Sequence, residues 1–377
     1  MTGTGPQEVR GFLVDSYLEW AERERLPIAT GLGIDLHGLD VAPWARMGGR
    51  SKAAIAHLDG RGDFVNCFVV ELPPGARTDA QRHLFEEVCY VLAGTGGTSI
   101  EAPDGRSHHF EWGKGSLFAL PLNARYRHFN SSGREPARLA AVTDLPFVLN
   151  AFHDERFCWD NPFPFPARFG DGRHFRGQGD FIPVRPGRHM WETNFVPDLP
   201  GFELQAWEQR GIGSANIKFV LADGTMHAHM SQLAAGTYKK AHRHGPDFHI
   251  FPVTGHGYSL FWYEGDRDHR RVDWRPGWVY APPDQMFHQH FNTAPSPSRY
   301  LAVAFGSIRH PVTTDKRTLF GDGVDRDVAQ GGRQIEYEDE EPSIRETFAG
   351  ELAAQGLEPD PRIRQAWARA SATGRHA

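Results

Sequence analysis

Apolar positions recur at helical spacing mainly near the two ends of the chain. Phe12, Leu13, Tyr17, Leu18 and Trp20 fall close to one helical face, with charges between them, and Pro27 ends the run. This predicts an amphipathic helical arm within residues 1–50, packed on the body of the protein or on a partner subunit. From Ser51 to Pro146 the pattern becomes short apolar runs separated by turn residues: Ala53–Leu58, Val65–Leu72, Val88–Leu92, Ser116–Leu120 and Leu139–Val142. Residues 147–213 are rich in Phe, Pro, Gly and Arg, as in Asn161-Pro-Phe-Pro-Phe-Pro. That composition predicts a packed, extended connector and not a helix. Strand texture resumes over residues 214–310. In residues 311–377, Ser343-Ile-Arg-Glu reads as a helix-start capping box followed by Phe348, Leu352 and Leu357, which predicts a docked helix with a frayed end near Ser371.

The two strand-rich blocks are copies of one another. Gly75, His83 and Gly94 match Gly236, His244 and Gly255, each 161 residues later. Gly115, Pro121, His128, Phe129 and Asn130 match Gly277, Pro283, His290, Phe291 and Asn292, each 162 residues later. One inserted residue explains the change, so the middle of the chain is one β-unit used twice.

The second copy carries the chemistry. His242 and His244 are two apart, as are His288 and His290, and alternate residues of a strand share a face. Two such strands converging in a barrel would gather neutral nitrogen donors, a set that suits divalent iron, manganese, nickel, copper or zinc. On the same parity, Tyr238 and Lys240 would share the face of His242 and His244 and contact a substrate carboxylate. The first copy has drifted: Gln81 stands where His242 stands, and Tyr126 where His288 stands. His83, Glu87 and His128 remain there, either as a second metal site or as buried, hydrogen-bonded structural groups.

Gly236, His242 and His244 resemble the first half of the first motif of the cupin superfamily, and Gly277, Pro283, His288 and Asn292 resemble its second motif. Gln285 stands where a Gly is usual, and the motif's Glu is missing; Asp247 and His249 are the nearest replacements. The resemblance covers about Ser51 to Ile308. It implies a mainly β bicupin: two tandem double-stranded β-helix barrels with N- and C-terminal helical extensions. Three histidines without the Glu look like the gentisate and salicylate ring-cleaving dioxygenases. Carried over by position, this implies that His242, His244 and His288 bind iron(II), with His249 an optional fourth ligand. His290 would orient or deprotonate a substrate hydroxyl.

Composition narrows the rest. Hydrophobic residues make up 40% of the 377, so a packed core is available, and a net charge of −6 argues against nucleic acid as a partner. No apolar run approaches the ~18 residues of a membrane span. Three scattered cysteines, Cys67, Cys89 and Cys158, suit a reducing cytoplasm better than a disulfide framework. The sequence-based expectation is therefore a cytoplasmic, metal-dependent oxygenase, most strongly an iron(II) dioxygenase, taking O2 and a small oxygenated carboxylic acid, aromatic acids included. Its helical ends suit a homodimer. A non-oxygenase metal cupin (isomerase, lyase or decarboxylase) and a non-catalytic small-molecule-binding bicupin are the alternatives.

Overall fold

The computed structural model describes residues 13–48, 50–185, 188–245, 248–312 and 325–373. In the first β-unit, strands Lys52–Leu58, Asn66–Leu72, Ala137–Thr143, Glu87–Ala93 and Leu117–Leu120 lie side by side in that order. A three-stranded sheet of Arg125–Asn130, Thr95–Glu101 and Ser107–Gly113 belongs to the same unit. The second unit repeats the order with Ala215–Leu221, Met226–Leu233, Ser298–Phe305, His249–Thr254 and Trp278–Tyr280. Its small sheet is Phe287–Asn292, Gly257–Trp262 and Arg270–Trp274. Neighbours within this shared pattern pair antiparallel. Two facing sheets in this strand order, present twice, make two tandem cupin-type barrels.

Period-two alternation builds two kinds of core. Ile55, Phe68, Val70, Cys89 and Val91 fill the first barrel. Their neighbours Ala56, Cys67, Val69, Val88 and Tyr90 point outward, onto Phe219, Met230, Phe251, Leu301 and Val303 of the second. The barrels thus pack through the outer faces of their large sheets.

The flanking segments are interleaved with the barrels more than their composition suggests. The N-terminal arm has a helix, Ser16–Glu24, capped by the Asp15 side chain. It continues as strands: Ile28–Gly31 runs parallel to Ile55–Leu58, and Gly33–Asp35 joins the second barrel beside Trp278–Tyr280. The connector returns the exchange, laying Phe195–Val196 on Leu117 and Phe118 of the first barrel. Each barrel therefore has a sheet edge covered by a segment from outside it. The connector also departs from the extended expectation, because Leu145–Phe152 and Glu155–Trp159 are helical. Pro146 sits in the first turn of the former, where no backbone donor is needed.

The tail forms two helices, Pro342–Ala353 and Pro361–Thr373. The capping box is not used: Pro342 starts the helix one residue before Ser343, and no side chain caps it. Ile344, Phe348, Leu352, Ile363 and Ala366 dock on Tyr238 and Phe291, the outer face of the ligand-bearing segment. Among the described residues, no helix is long and apolar enough to cross a membrane.

Candidate metal centre

The segment from Tyr238 to His244 runs against strand Phe287–Asn292. Tyr238 bridges Phe291 and His242 bridges His288, so residues 239–241 face only Gln289 and His290. One extra residue on one side is a bulge, and it reverses side-chain parity across it. The first barrel has the same irregularity, with Arg77 opposite Phe129 and Gln81 opposite Tyr126.

Beyond the bulge, His242 and His244 turn inward and meet His288; their candidate ligand nitrogens lie within 4.8 Å of one another. Each ring's Nδ1 faces a backbone carbonyl: Lys240 O at 2.9 Å for His242, Gly245 O at 3.1 Å for His244, Met286 O at 3.1 Å for His288. A carbonyl only accepts, so each Nδ1 carries the proton and each Nε2 keeps its lone pair. The Nε2 atoms of His244 and His288 are 3.1 Å apart. Two lone pairs at that distance repel unless a cation lies between them. Nitrogens sharing one ion at bonds of about 2.1 Å are themselves about 3.0–3.4 Å apart. Burial holds His242 well below the usual imidazole range and His288 down to about 3, with Arg210 and Lys239 adding to both shifts. Neutral imidazoles in one tautomer, aimed at one point, fit a divalent transition metal, and nothing in the donor set singles out iron.

The trio lines a cavity of about 60 Å³ shared with His290, Lys239, Lys218, Arg210, Tyr300 and Trp207. His227 and His229 complete its polar wall, with His227 Nε2 2.9 Å from His229 Nδ1. His290 is fixed from behind by Ser259. The Ser259 hydroxyl donates to Tyr280 Oη at 3.2 Å, receives Trp274 Nε1–H at 3.0 Å and lies 2.8 Å from His290 Nδ1. Lys239 Nζ donates to Tyr300 Oη at 2.6 Å and Ser231 Oγ at 3.1 Å. Arg210 pairs with Asp325 at 3.2 Å. Among the described lining residues there is no carboxylate.

Three expected participants are elsewhere. Tyr238 is buried under the tail helices, with its hydroxyl on Glu340 and Trp367 Nε1–H donating to it at 2.8 Å. Lys240 forms an ion pair with Glu336 at 2.5 Å, outside the cavity. The bulge is the reason: strict alternation assigned the face to residues 238 and 240, and the inserted residue gives it to Lys239. His249 is not a fourth member of the trio. Phe248 and Ile250 line the cavity, and His249 between them shares its register with Val303, whose side chain packs between the barrels. Asp247 lies outside the described residues. Arg210 and Lys218, in the connector and the first strand of the barrel, were missed because neither belongs to a recognisable spacing.

In the first barrel the corresponding groups bind one another. His83 Nε2 and Tyr126 Oη each lie 3.0 Å from Glu87 Oε2, and the Cys89 thiol donates to Glu87 Oε1 at 3.1 Å. Burial works to raise Glu87, yet the His83 contacts outweigh it and hold the carboxyl down to about 2. Glu87, Cys89 and His128 are close enough to share an ion. The cavity beside them is only about 20 Å³, and Glu87 already has three partners. The structure thus gathers His83, Glu87 and Tyr126 into one hydrogen-bonded knot.

No family model matches the chain, and no curated protein matches it. Solved structures of oxalate decarboxylases are similar at low identity. A formate complex of the Lactobacillus farciminis enzyme is 14% identical, with a TM-score of 0.49, covering 78% of this chain and 91% of that one. A mutant of the Bacillus subtilis enzyme is 15% identical with a TM-score of 0.48, covering 75% and 79%. The Bacillus subtilis enzyme at pH 4.6 is 16% identical with a TM-score of 0.47, covering 74% and 77%. Likeness at this level carries no inference about activity. The two-barrel fold stands on this chain's own strand order.

Proposed function

We propose that the second barrel is a divalent-metal-dependent active site that cleaves a carbon–carbon bond of a small aliphatic carboxylic acid without oxygen, as a decarboxylase-type lyase. The observation that carries this is that the cavity holding three Nε2-directed imidazoles also buries the cationic side chains of Lys218, Lys239 and Arg210 in its wall. His242, His244 and His288 would hold the ion, which when bound supplies Lewis-acid stabilisation of negative charge on substrate oxygen. Lys239 and Arg210 add positive potential in a buried setting, attracting the carboxylate and stabilising the electron pair left on carbon as carbon dioxide departs. His290, with Nδ1 against Ser259, turns Nε2 toward the cavity, where it can relay a proton to that carbon. The cavity measures about 60 Å³, and the acid proposed for it is accordingly a small one.

A dioxygenase is the second reading, favoured by one observation: the ligand trio has three imidazoles and no carboxylate. Metal-loaded protein incubated with a panel of two- to four-carbon acids, including oxalate, separates the two. Carbon dioxide release that persists under argon supports the lyase. Oxygen uptake stoichiometric with acid consumed supports the dioxygenase. Bound metal and bound acid with no turnover of any kind would leave a binding protein.

A further inference from the structure

A groove of about 620 Å³ lies on the outer face of the second barrel, beside the docked tail. Its floor includes Ala241, Phe287 and Trp262, and Trp262 pairs with Phe287 across the small sheet. The turn at residues 264–267 forms one wall, and the tail at residues 328–344 forms the other. That volume falls within the range of about 300–1,000 Å³ usual for small-molecule sites. The first barrel has a smaller cavity, about 220 Å³, at the same place. Arg82, Glu101 and Arg125 line it, at the repeat positions of Arg243, Trp262 and Phe287. There Arg125 pairs with Glu101 at 3.6 Å, and both side chains are more than half exposed. The second barrel replaces that solvated ion pair with two buried, stacked rings whose centroids are 5.8 Å apart.

The charge is reversed as well. Among the described residues, the groove is lined by the carboxylates Glu264, Asp266, Asp339, Glu340 and Glu341 and by a single guanidinium, Arg267. Glu264 holds Arg243 at 2.8 Å, and Glu340 holds Arg345 at 3.2 Å. Asp266, on the turn, accepts the Tyr263 N–H at 2.8 Å. Glu341, on the tail, accepts the Ser343 hydroxyl at 3.3 Å and lies 3.9 Å from His269. The floor already receives one cation of the chain's own. Arg243 sits 4.6 Å over the Phe287 ring while its guanidinium donates to Glu264 at 2.8 Å. An aromatic face and a carboxylate hold a cation together there.

We infer that this groove is a second ligand site, which takes an organic cation. Its ammonium group is received by Asp266 and Glu341, and its aromatic or branched apolar body lies on Trp262, Phe287 and Ile344. The site is independent of the metal-dependent reading. Its charge disfavours carboxylates, so its ligand differs in class from the acid proposed for the barrel cavity.

The test is calorimetric titration of the full-length protein with tryptamine and with indolepropionate, which share a ring and a spacer and carry opposite charges. At low ionic strength wild-type protein should bind tryptamine with a Kd of about 1 mM or tighter, and at least about tenfold more tightly than indolepropionate. Added salt should shrink that ratio. Asp266→Asn combined with Glu341→Gln should bring it near one. Asp266 is exposed and Glu341 is 43% exposed, so the substitutions remove charge and little packing. Each made singly should lower the ratio about threefold, an independent reading should the double variant melt early. Glu101→Gln, in the matching cavity of the first barrel, should leave it unchanged. Absence of tryptamine binding, equal affinity for the two probes, or a preference that survives the double variant or falls equally in Glu101→Gln would overturn the inference. Neither metal content nor acid turnover enters the ratio, so its failure would leave the second barrel's chemistry untouched.

Discussion

Replacing Ser259 by alanine tests how the barrel aims His290. The Ser259 side chain is fully buried, and its oxygen is the shared partner of Trp274 Nε1, His290 Nδ1 and Tyr280 Oη. In Ser259→Ala, Trp274 Nε1–H loses its acceptor, at about 1–3 kcal/mol for an orphaned buried donor. The lost contact to His290 adds about 0.5–1.5 kcal/mol, for a total of about 1.5–4.5 kcal/mol. The repeat supplies the control: Thr98 of the first barrel holds the same two partners, His128 Nδ1 at 2.8 Å and Trp112 Nε1 at 2.9 Å. Ser259→Thr should therefore keep the hub and turnover, at a packing cost of about 1–3 kcal/mol for the added methyl in a fully buried site. Urea unfolding measures both variants. Turnover per bound metal should also fall about tenfold or more in the alanine variant, as expected when the group orienting an active-site histidine is removed. A loss of stability below about 0.5 kcal/mol with unchanged turnover would refute the hub.

Glu340 couples pH to the docking of the tail. Burial raises its carboxyl to about 7 from an ordinary 4.5, against the opposing contacts of Tyr238, Gln289 and Arg345. The folded state then holds its proton more firmly than the unfolded state, so this stabilisation is complete below about pH 4.5 and is lost as pH rises through about 7, amounting to at most about 3 kcal/mol. Urea midpoints taken from pH 5 to pH 8.5 should fall more steeply for wild type than for Glu340→Gln, and parallel curves would count against the burial argument. Gly257 lies where strand Phe287–Asn292 comes closest: an added Cβ would sit 1.9 Å from Phe291 O and 2.8 Å from the Trp274 ring. Gly257→Ala should cost about 1–3 kcal/mol or more in thermal melts, and a melting temperature equal to wild type would be inconsistent with that contact.

The repeat made most of the fold legible. Two blocks with glycines, prolines and histidines at matching intervals required two copies of one β-unit, and the strands fall close to the apolar runs that announced them. The exchanged edge strands Gly33–Asp35 and Phe195–Val196 were not legible, because a strand of two or three residues leaves no periodicity to detect. Spacing made the pairs His242/His244 and His288/His290 visible, and the family resemblance picked His288 from the second pair as the third ligand. Lys239 was hidden by a single inserted residue, since alternation holds only while both strands keep step. Arg210 and Lys218 had no motif to betray them: their role depends on which strands come together, a property of the tertiary fold. His249 shows the opposite error, in which a suitable ligand type near the right place faces the wrong side of its strand.

The most direct test of the second barrel's chemistry is elemental analysis of purified full-length protein beside His244→Ala, His288→Ala and His249→Ala. Roughly one equivalent of divalent transition metal should accompany the wild-type chain and His249→Ala, and be lost from the other two. Wild-type protein that takes up no metal when offered iron, manganese, nickel, copper or zinc, or a His244→Ala variant that retains it, would contradict a metal centre built from these three imidazoles.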